Sequence, residues 1–124
     1  MNSVADSTLD KHTEDLVGDW LSIAEAAARL GVDPKRTKQL IRDHKLLAVH
    51  RDSGLGVPAA FVQEGHVLKG LSGTLTVLAD AGYDDVAALR WMFTADDTLP
   101  GTPVQALAEN RGTEVRRRAQ ALAF

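Results

Sequence analysis

The stretch from Ile23 to Arg42 constrains this chain more than any other. Ser22 stands before it as a helix cap, and Glu25, three residues later, completes a capping box. Leu21 and Ala26 occupy the two positions of a hydrophobic staple. An alanine-rich run then leads to Leu30. Gly31 follows, with the backbone freedom a tight turn needs. Asp33-Pro34 restarts a helix, because Asp caps and Pro suits the first helical position. The signals predict one helix to Leu30 and a second from Pro34 to about His44.

Two short helices that cross steeply need small or apolar groups at fixed points. Counted from Ile23, the fourth and fifth residues are Ala26 and Ala27, the eighth Leu30, the ninth Gly31, the tenth Val32 and the eighteenth Leu40. That is the spacing of a helix-turn-helix. Thr37 holds the fifteenth position, where Val or Ile is usual, and brings a hydroxyl with it. The remaining positions of the second helix are Lys35, Arg36, Lys38, Gln39 and Arg42, on or beside the face turned away from the core. Cations there neutralise phosphates. Arg and Lys also donate to guanine, and Gln pairs with adenine. This places Lys35, Lys38 and Gln39 nearest the base edges of a duplex, with Arg36 and Arg42 nearer phosphate. The competing reading is an ordinary solvated cationic face.

Leu47 to Arg51 reads as a short strand, 52–56 as a turn, and Val57 as the start of a return strand that Pro58 ends. A two-stranded hairpin directly after a helix-turn-helix is a wing, and Arg51 is its candidate contact residue. The formal net charge of −3 argues against a polyanion as partner. The distribution answers that objection. From Asp33 to Arg51 there are six cations (Lys35, Arg36, Lys38, Arg42, Lys45, Arg51) and two carboxylates (Asp33, Asp43), a local balance of +4. Residues 1–19 hold five carboxylates and one lysine, a balance of −4. Residues 1–16 therefore read as a disordered acidic arm, and 17–124 as a single domain.

Past Val62 the pattern turns helical. Leu71, Leu75 and Leu78 recur at helical spacing, and Gly82 suits the position after a helix end. Asp84 or Asp85 caps a helix bearing Val86, Leu89, Met92 and Phe93. Thr102-Pro103, with Gln105 in capping-box register, opens another. Gly112-Thr113 opens a last one with Val115, Ala119 and Leu122. Aromatics are only 5% of the chain, so Trp91-Met92-Phe93 reads as core and Trp20 as packing at the domain edge. Arg116-Arg117-Arg118 reads as a solvated face. The fold class is mainly α: a winged helix-turn-helix with a short two-stranded wing and additional C-terminal helices.

Several classes drop out. With no cysteine, there are no disulfides, thiolate metal sites or cysteine nucleophiles. The four histidines lack metal-site spacing. No phosphate loop, serine elbow or paired-carboxylate arrangement is present, so neither an enzyme nor a cofactor is expected. No apolar run approaches the roughly 20 residues that span a bilayer, and the polar N-terminus is not a secretory signal. A cytoplasmic protein without membrane partners is the expectation.

The helix-turn-helix, its hairpin and the segment from Gly54 to Phe61 resemble winged-helix DNA-binding domains of the MerR and excisionase type. The segments Val67–Tyr83, Leu89–Thr94 and Val115–Phe124 further resemble a small actinobacterial family of winged-helix DNA-binding proteins linked with Ser/Thr-kinase signalling. That resemblance implies double-stranded DNA as partner, a role in transcriptional regulation, and a Ser/Thr protein kinase as a second partner. In the acidic arm, Thr8 is the first candidate for phosphorylation, with Ser3, Ser7 and Thr13 beside it. A phosphate adds about −1.5 to −2 charge to an arm able to compete with DNA. The C-terminal third also resembles the helical domain of certain antitoxins. Two alternatives follow: an interaction module of antitoxin or adaptor type using the C-terminal helices, or a non-specific architectural, excisionase-like DNA protein. No long heptad helix supplies a coiled coil, so a monomer or weak dimer is expected.

Overall fold

The computed structural model describes residues 9–123. Its first element is helix α1, Lys11–Val17, followed by strand β1, Trp20–Leu21. Helices α2 (Ile23–Leu30) and α3 (Pro34–Arg42) come next, then strands β2 (Val49–Arg51) and β3 (Gly54–Pro58). A short 3-10 turn over Ala59–Phe61 leads to strands β4 (Val62–Gln63) and β5 (His66–Val67). Helices α4 (Leu71–Asp80), α5 (Asp85–Met92), α6 (Pro103–Ala108) and α7 (Gly112–Ala121) complete the chain.

Helix α1 covers residues 11–16 of the stretch read as a disordered arm and corrects the reading there; residues 1–8 of the arm lie outside the described residues. Two of the acidic residues that signalled disorder, Asp10 and Glu14, have partners far along the chain. Asp10 caps α1, accepting from the Thr13 amide at 3.1 Å and the Thr13 hydroxyl at 2.7 Å. Arg90 of α5 then reaches Asp10 at 3.1 Å and the Thr13 oxygen at 3.2 Å. Leu9, Leu16 and Val17 pack against the core. Thr13 is fully buried, which removes it from the exposed phosphorylation candidates. Thr8, Ser3 and Ser7 lie outside the described residues.

The wing is also more than the expected hairpin. Strand β1 joins it, giving a three-stranded antiparallel sheet in the order β1-β3-β2. Trp20 faces Pro58, Leu21 faces Val57, and on the other edge Arg51 faces Gly54. The Ala59 amide, just past β3, donates to the Asp19 carbonyl at 2.9 Å. Leu47 and Ala48 are buried but precede the strand rather than belong to it.

A second small hairpin replaces the early start of helix expected after Val62. Val62 pairs with Val67 and Gln63 with His66. Gly65, at φ +84°, turns the chain, and its amide donates to the Arg29 carbonyl at 3.0 Å. This ties the hairpin to the end of α2. The C-terminal caps fall where the sequence puts them. Asp84 accepts from the Ala87 amide, and Thr102 and Gln105 form a reciprocal box.

One hydrophobic cluster runs through the chain. Ala26 and Leu30 of α2, Val57 of β3, Leu71 and Leu78 of α4, Leu89 and Met92 of α5, and Val115 of α7 all belong to it. Phe61 and Phe93 link its two ends, with ring centroids 5.6 Å apart. Among the described residues no helix is long and apolar enough to cross a membrane.

Candidate nucleic-acid interface

Helix α2 is built to be approached closely. The Ser22 hydroxyl accepts from the Glu25 amide at 3.0 Å, while the Glu25 carboxylate accepts from the Ser22 amide at 2.7 Å. Ala26 and Ala27 are buried, so the backbone of α3 comes near. Gly31 takes a left-handed conformation at φ +77°, and its amide and that of Val32 both reach the Ala27 carbonyl. That closes α2 and aims the chain at the cap of α3. There the Asp33 carboxylate accepts from the Arg36 amide at 2.9 Å. Val32 itself stays exposed, unlike the apolar contact its position suggested.

Thr37, the departure from the usual pattern, is fully buried. Its hydroxyl donates to the Asp33 carbonyl at 3.2 Å, one turn back on the same helix. The polar atom is thereby satisfied without a tertiary partner, which is why Thr substitutes for Val here.

With Thr37 turned inward, Lys35, Arg36, Lys38 and Arg42 are all exposed. Lys35, Lys38 and Arg42 fall at i, i+3 and i+7, one stripe of the helix. Gln39 is half-buried and engaged at both ends. Its amide nitrogen donates to Asp43 at 3.0 Å, and its oxygen accepts from Arg42 at 2.7 Å. Bidentate pairing of Gln39 with a base requires that this network open. The helix ends at Arg42, two residues before the expected His44, because Asp43 caps it and His44 turns left-handed at φ +59°. Asp85, at the start of α5, lies near His44. Burial raises the Asp85 carboxyl above its ordinary range, and the neighbouring His44 works against that rise.

Arg51 is placed differently from the other candidates. Its Nε and Nη2 donate to Glu14 at 3.0 and 2.7 Å. Its guanidinium lies 4.7 Å from the Trp20 ring centroid. The wing cation thus fastens β2 to α1 and β1, whereas the sequence left it free for a phosphate. Gly56 makes room for this. A Cβ there would come 2.5 Å from Arg51 Cδ and 3.0 Å from the Trp20 ring. Sequence reasoning missed Glu14 and Trp20 as the groups that hold the wing. No local signal marks them, since Glu14 lies 37 positions from Arg51. His44, Lys45 and His50 are the exposed basic groups beyond α3 on the way to the wing tip.

Comparison with known proteins agrees with this geometry. Residues 5–62 match the family described as DNA-binding protein Rv2175c, wHTH domain. Residues 68–123 match the Rv2175c C-terminal domain of unknown function. The chain is 38% identical over 115 residues to DNA-binding protein Rv2175c of Mycobacterium tuberculosis, covering 82% of this chain and 79% of that protein. The NMR structure of Rv2175c superposes with a TM-score of 0.76 at 36% identity, covering 86% of this chain and 82% of the other. The chain therefore belongs to the Rv2175c family, whose two parts it carries in the same order.

Proposed function

We propose that this protein binds double-stranded DNA by laying α3 in the major groove, and that it acts as a transcriptional regulator. The observation that carries the reading is the stripe of Lys35, Lys38 and Arg42 on a helix whose opposite face is buried by a helix-turn-helix partner. Arg36 flanks the stripe. Membership of a family named for DNA binding supports it. Lys35 and Lys38 face the base edges, Arg36 and Arg42 lie nearer phosphate, and Gln39 reaches a base when its network with Arg42 and Asp43 opens. Arg51 serves the interface by holding the wing in place. The MerR and excisionase resemblance of the N-terminal half belongs to the same proposal.

The decisive experiment is selection of bound fragments from random DNA at near-physiological salt. A common motif recovered by the protein, and lost when Lys35, Lys38 and Arg42 are changed to Ala, supports the reading. Binding by the triple variant at the original affinity ends it. Recovery of no motif despite binding favours an architectural role over regulation.

The N-terminal arm adds a second part. Thr8 is the proposed target of a Ser/Thr protein kinase, and its phosphate weakens DNA binding by competing for the cations of α3. Equal affinities of kinase-treated and untreated protein at equal salt would dismiss it. The proposed assembly is a monomer or weak dimer, readable by sedimentation.

A further inference from the structure

Between the start of α4 and the start of α7 lies a cavity of about 440 Å³. Lys69 and Arg116 line it, with Asn110 and Thr113 as neutral polar groups and Leu107 as an apolar wall. No carboxylate lines it. Among the described residues neither Lys69 nor Arg116 has a salt-bridge partner. Glycines keep the space open. A Cβ on Gly73 would stand 3.5 Å from Arg116 Nη1, and one on Gly70 would stand 2.9 Å from Leu107 Cδ2. The Arg116 guanidinium therefore lies over the Gly73 position, at the wall of the cavity.

We propose that this cavity binds a small phosphorylated ligand. Lys and Arg make charge-assisted bonds to phosphate oxygens, and these are stronger than bonds between neutral groups. A concave site of this volume falls in the range of small-molecule pockets, which run from about 300 to 1,000 Å³. The Leu107 wall suits an organic portion beside the phosphate. A duplex, by contrast, presents a broad convex surface that such a recess does not fit. The cavity and its two cations suffice for the assignment. Helices α4 and α7 both open at its rim without a side-chain cap, although the first amide of α4, that of Leu71, is already held by the Leu68 carbonyl at 3.1 Å. The function falls on the C-terminal part of the chain and is independent of the DNA reading.

The test uses the full chain, labelled with ¹⁵N and titrated with inorganic pyrophosphate and with ribose 5-phosphate. Ionic strength is held constant with chloride. Shifts confined to residues 69–73 and 107–116 that saturate support the site. The K69A/R116A double variant should bind at least about tenfold more weakly, given the strength of charged hydrogen bonds. Gly73→Leu should block binding by filling the space under the Arg116 guanidinium while keeping both cations in the sequence, and it improves helix propensity, so the variant should fold. Shifts equal to those in chloride alone, or centred on the cations of α3, overturn the proposal. DNA affinity measured on the same variants separates the sources of phosphate. Unchanged DNA affinity is expected, and a parallel loss would assign the cavity to nucleic-acid phosphate and overturn the small-ligand reading. Phosphate binding is read without DNA, so a failure of the DNA function leaves this result intact.

Discussion

Arg51 and Glu14, 37 positions apart, meet at 2.7 Å with the guanidinium laid over Trp20. The pair is partly shielded, with side-chain exposures of 24% and 33%. Arg51→Ala removes an ion pair, a stacking contact and the packing of a long stem at once. We expect a loss of about 1–2 kcal/mol in urea unfolding, discounted for residual solvent. DNA affinity should fall far less than for Lys38→Ala. The opposite pattern, unchanged stability with a large loss of affinity, would make Arg51 a phosphate contact.

Each cation of α3 that rests on a phosphate releases counterions when DNA binds. Single Ala variants at Arg36 and Arg42, the pair placed nearer phosphate, should each lower the slope of log affinity against log salt by about 0.9, whereas those at Lys35 and Lys38 should act on sequence preference. A residue that reads a base instead should change the preferred sequence. Fluorescence anisotropy across a salt series distinguishes the two for each residue.

The Thr37 hydroxyl donates to a carbonyl that also accepts the Thr37 amide, at 3.2 Å. Removing the hydroxyl leaves no buried group without a partner. Thr37→Val should therefore be neutral or stabilising, within about 1 kcal/mol, because an apolar methyl replaces a weakly rewarded polar atom. A clear drop in melting temperature would show that the hydroxyl has a further role.

Asp10 has its carboxyl lowered to about 2, chiefly by the hydrogen bond from the Thr13 side chain. Its contribution is present above the ordinary carboxylate value of about 3.9 and is lost as pH falls through the folded value. The helix α1 should loosen over that window. Asp10→Asn keeps a competent cap but does not titrate. Its acid unfolding profile should be flatter than that of the parent between about pH 4 and 2. Identical profiles would remove Asp10 from the acid response.

Gly56 lies under the Arg51 stem, where an added Cβ would collide at 2.5 Å. Gly56→Ala should cost about 1–3 kcal/mol, as overpacking does. Combining it with Arg51→Ala should recover part of the loss. Strict additivity in a double-mutant cycle would mean that the two do not touch.

What the sequence revealed follows from range. The caps at Ser22, Asp33, Asp84 and Thr102 act over three residues, and so are readable in a single line of text. Leu71, Leu75 and Leu78 are spaced by the helix itself, and all are buried. The exposed cations of α3 follow by elimination once the apolar positions are taken. Helix α1 was hidden because Asp10 and Glu14 find their partners 80 and 37 residues away. Before those partners are known, the same residues look like a solvated tail. The hairpin over 62–67 was hidden for another reason. Its strands are two residues each, too short for alternation to show, and the leucine spacing that follows drew the helix upstream. Arg51 showed its charge but not its direction, which depends on Trp20, Glu14 and the gap left by Gly56.

The contact of Phe61 with Phe93 has a consequence for how the molecule comes apart. Phe61 follows the helix-turn-helix and its wing in the chain, Phe93 follows α5 among the C-terminal helices, and both belong to the one hydrophobic cluster. Melting should then be a single cooperative transition, with α2, α3 and α7 lost together. A cavity opened at Val115 would loosen the cationic helix without touching it. In this chain, the rigidity of the cationic α3 face then depends partly on helices outside the helix-turn-helix.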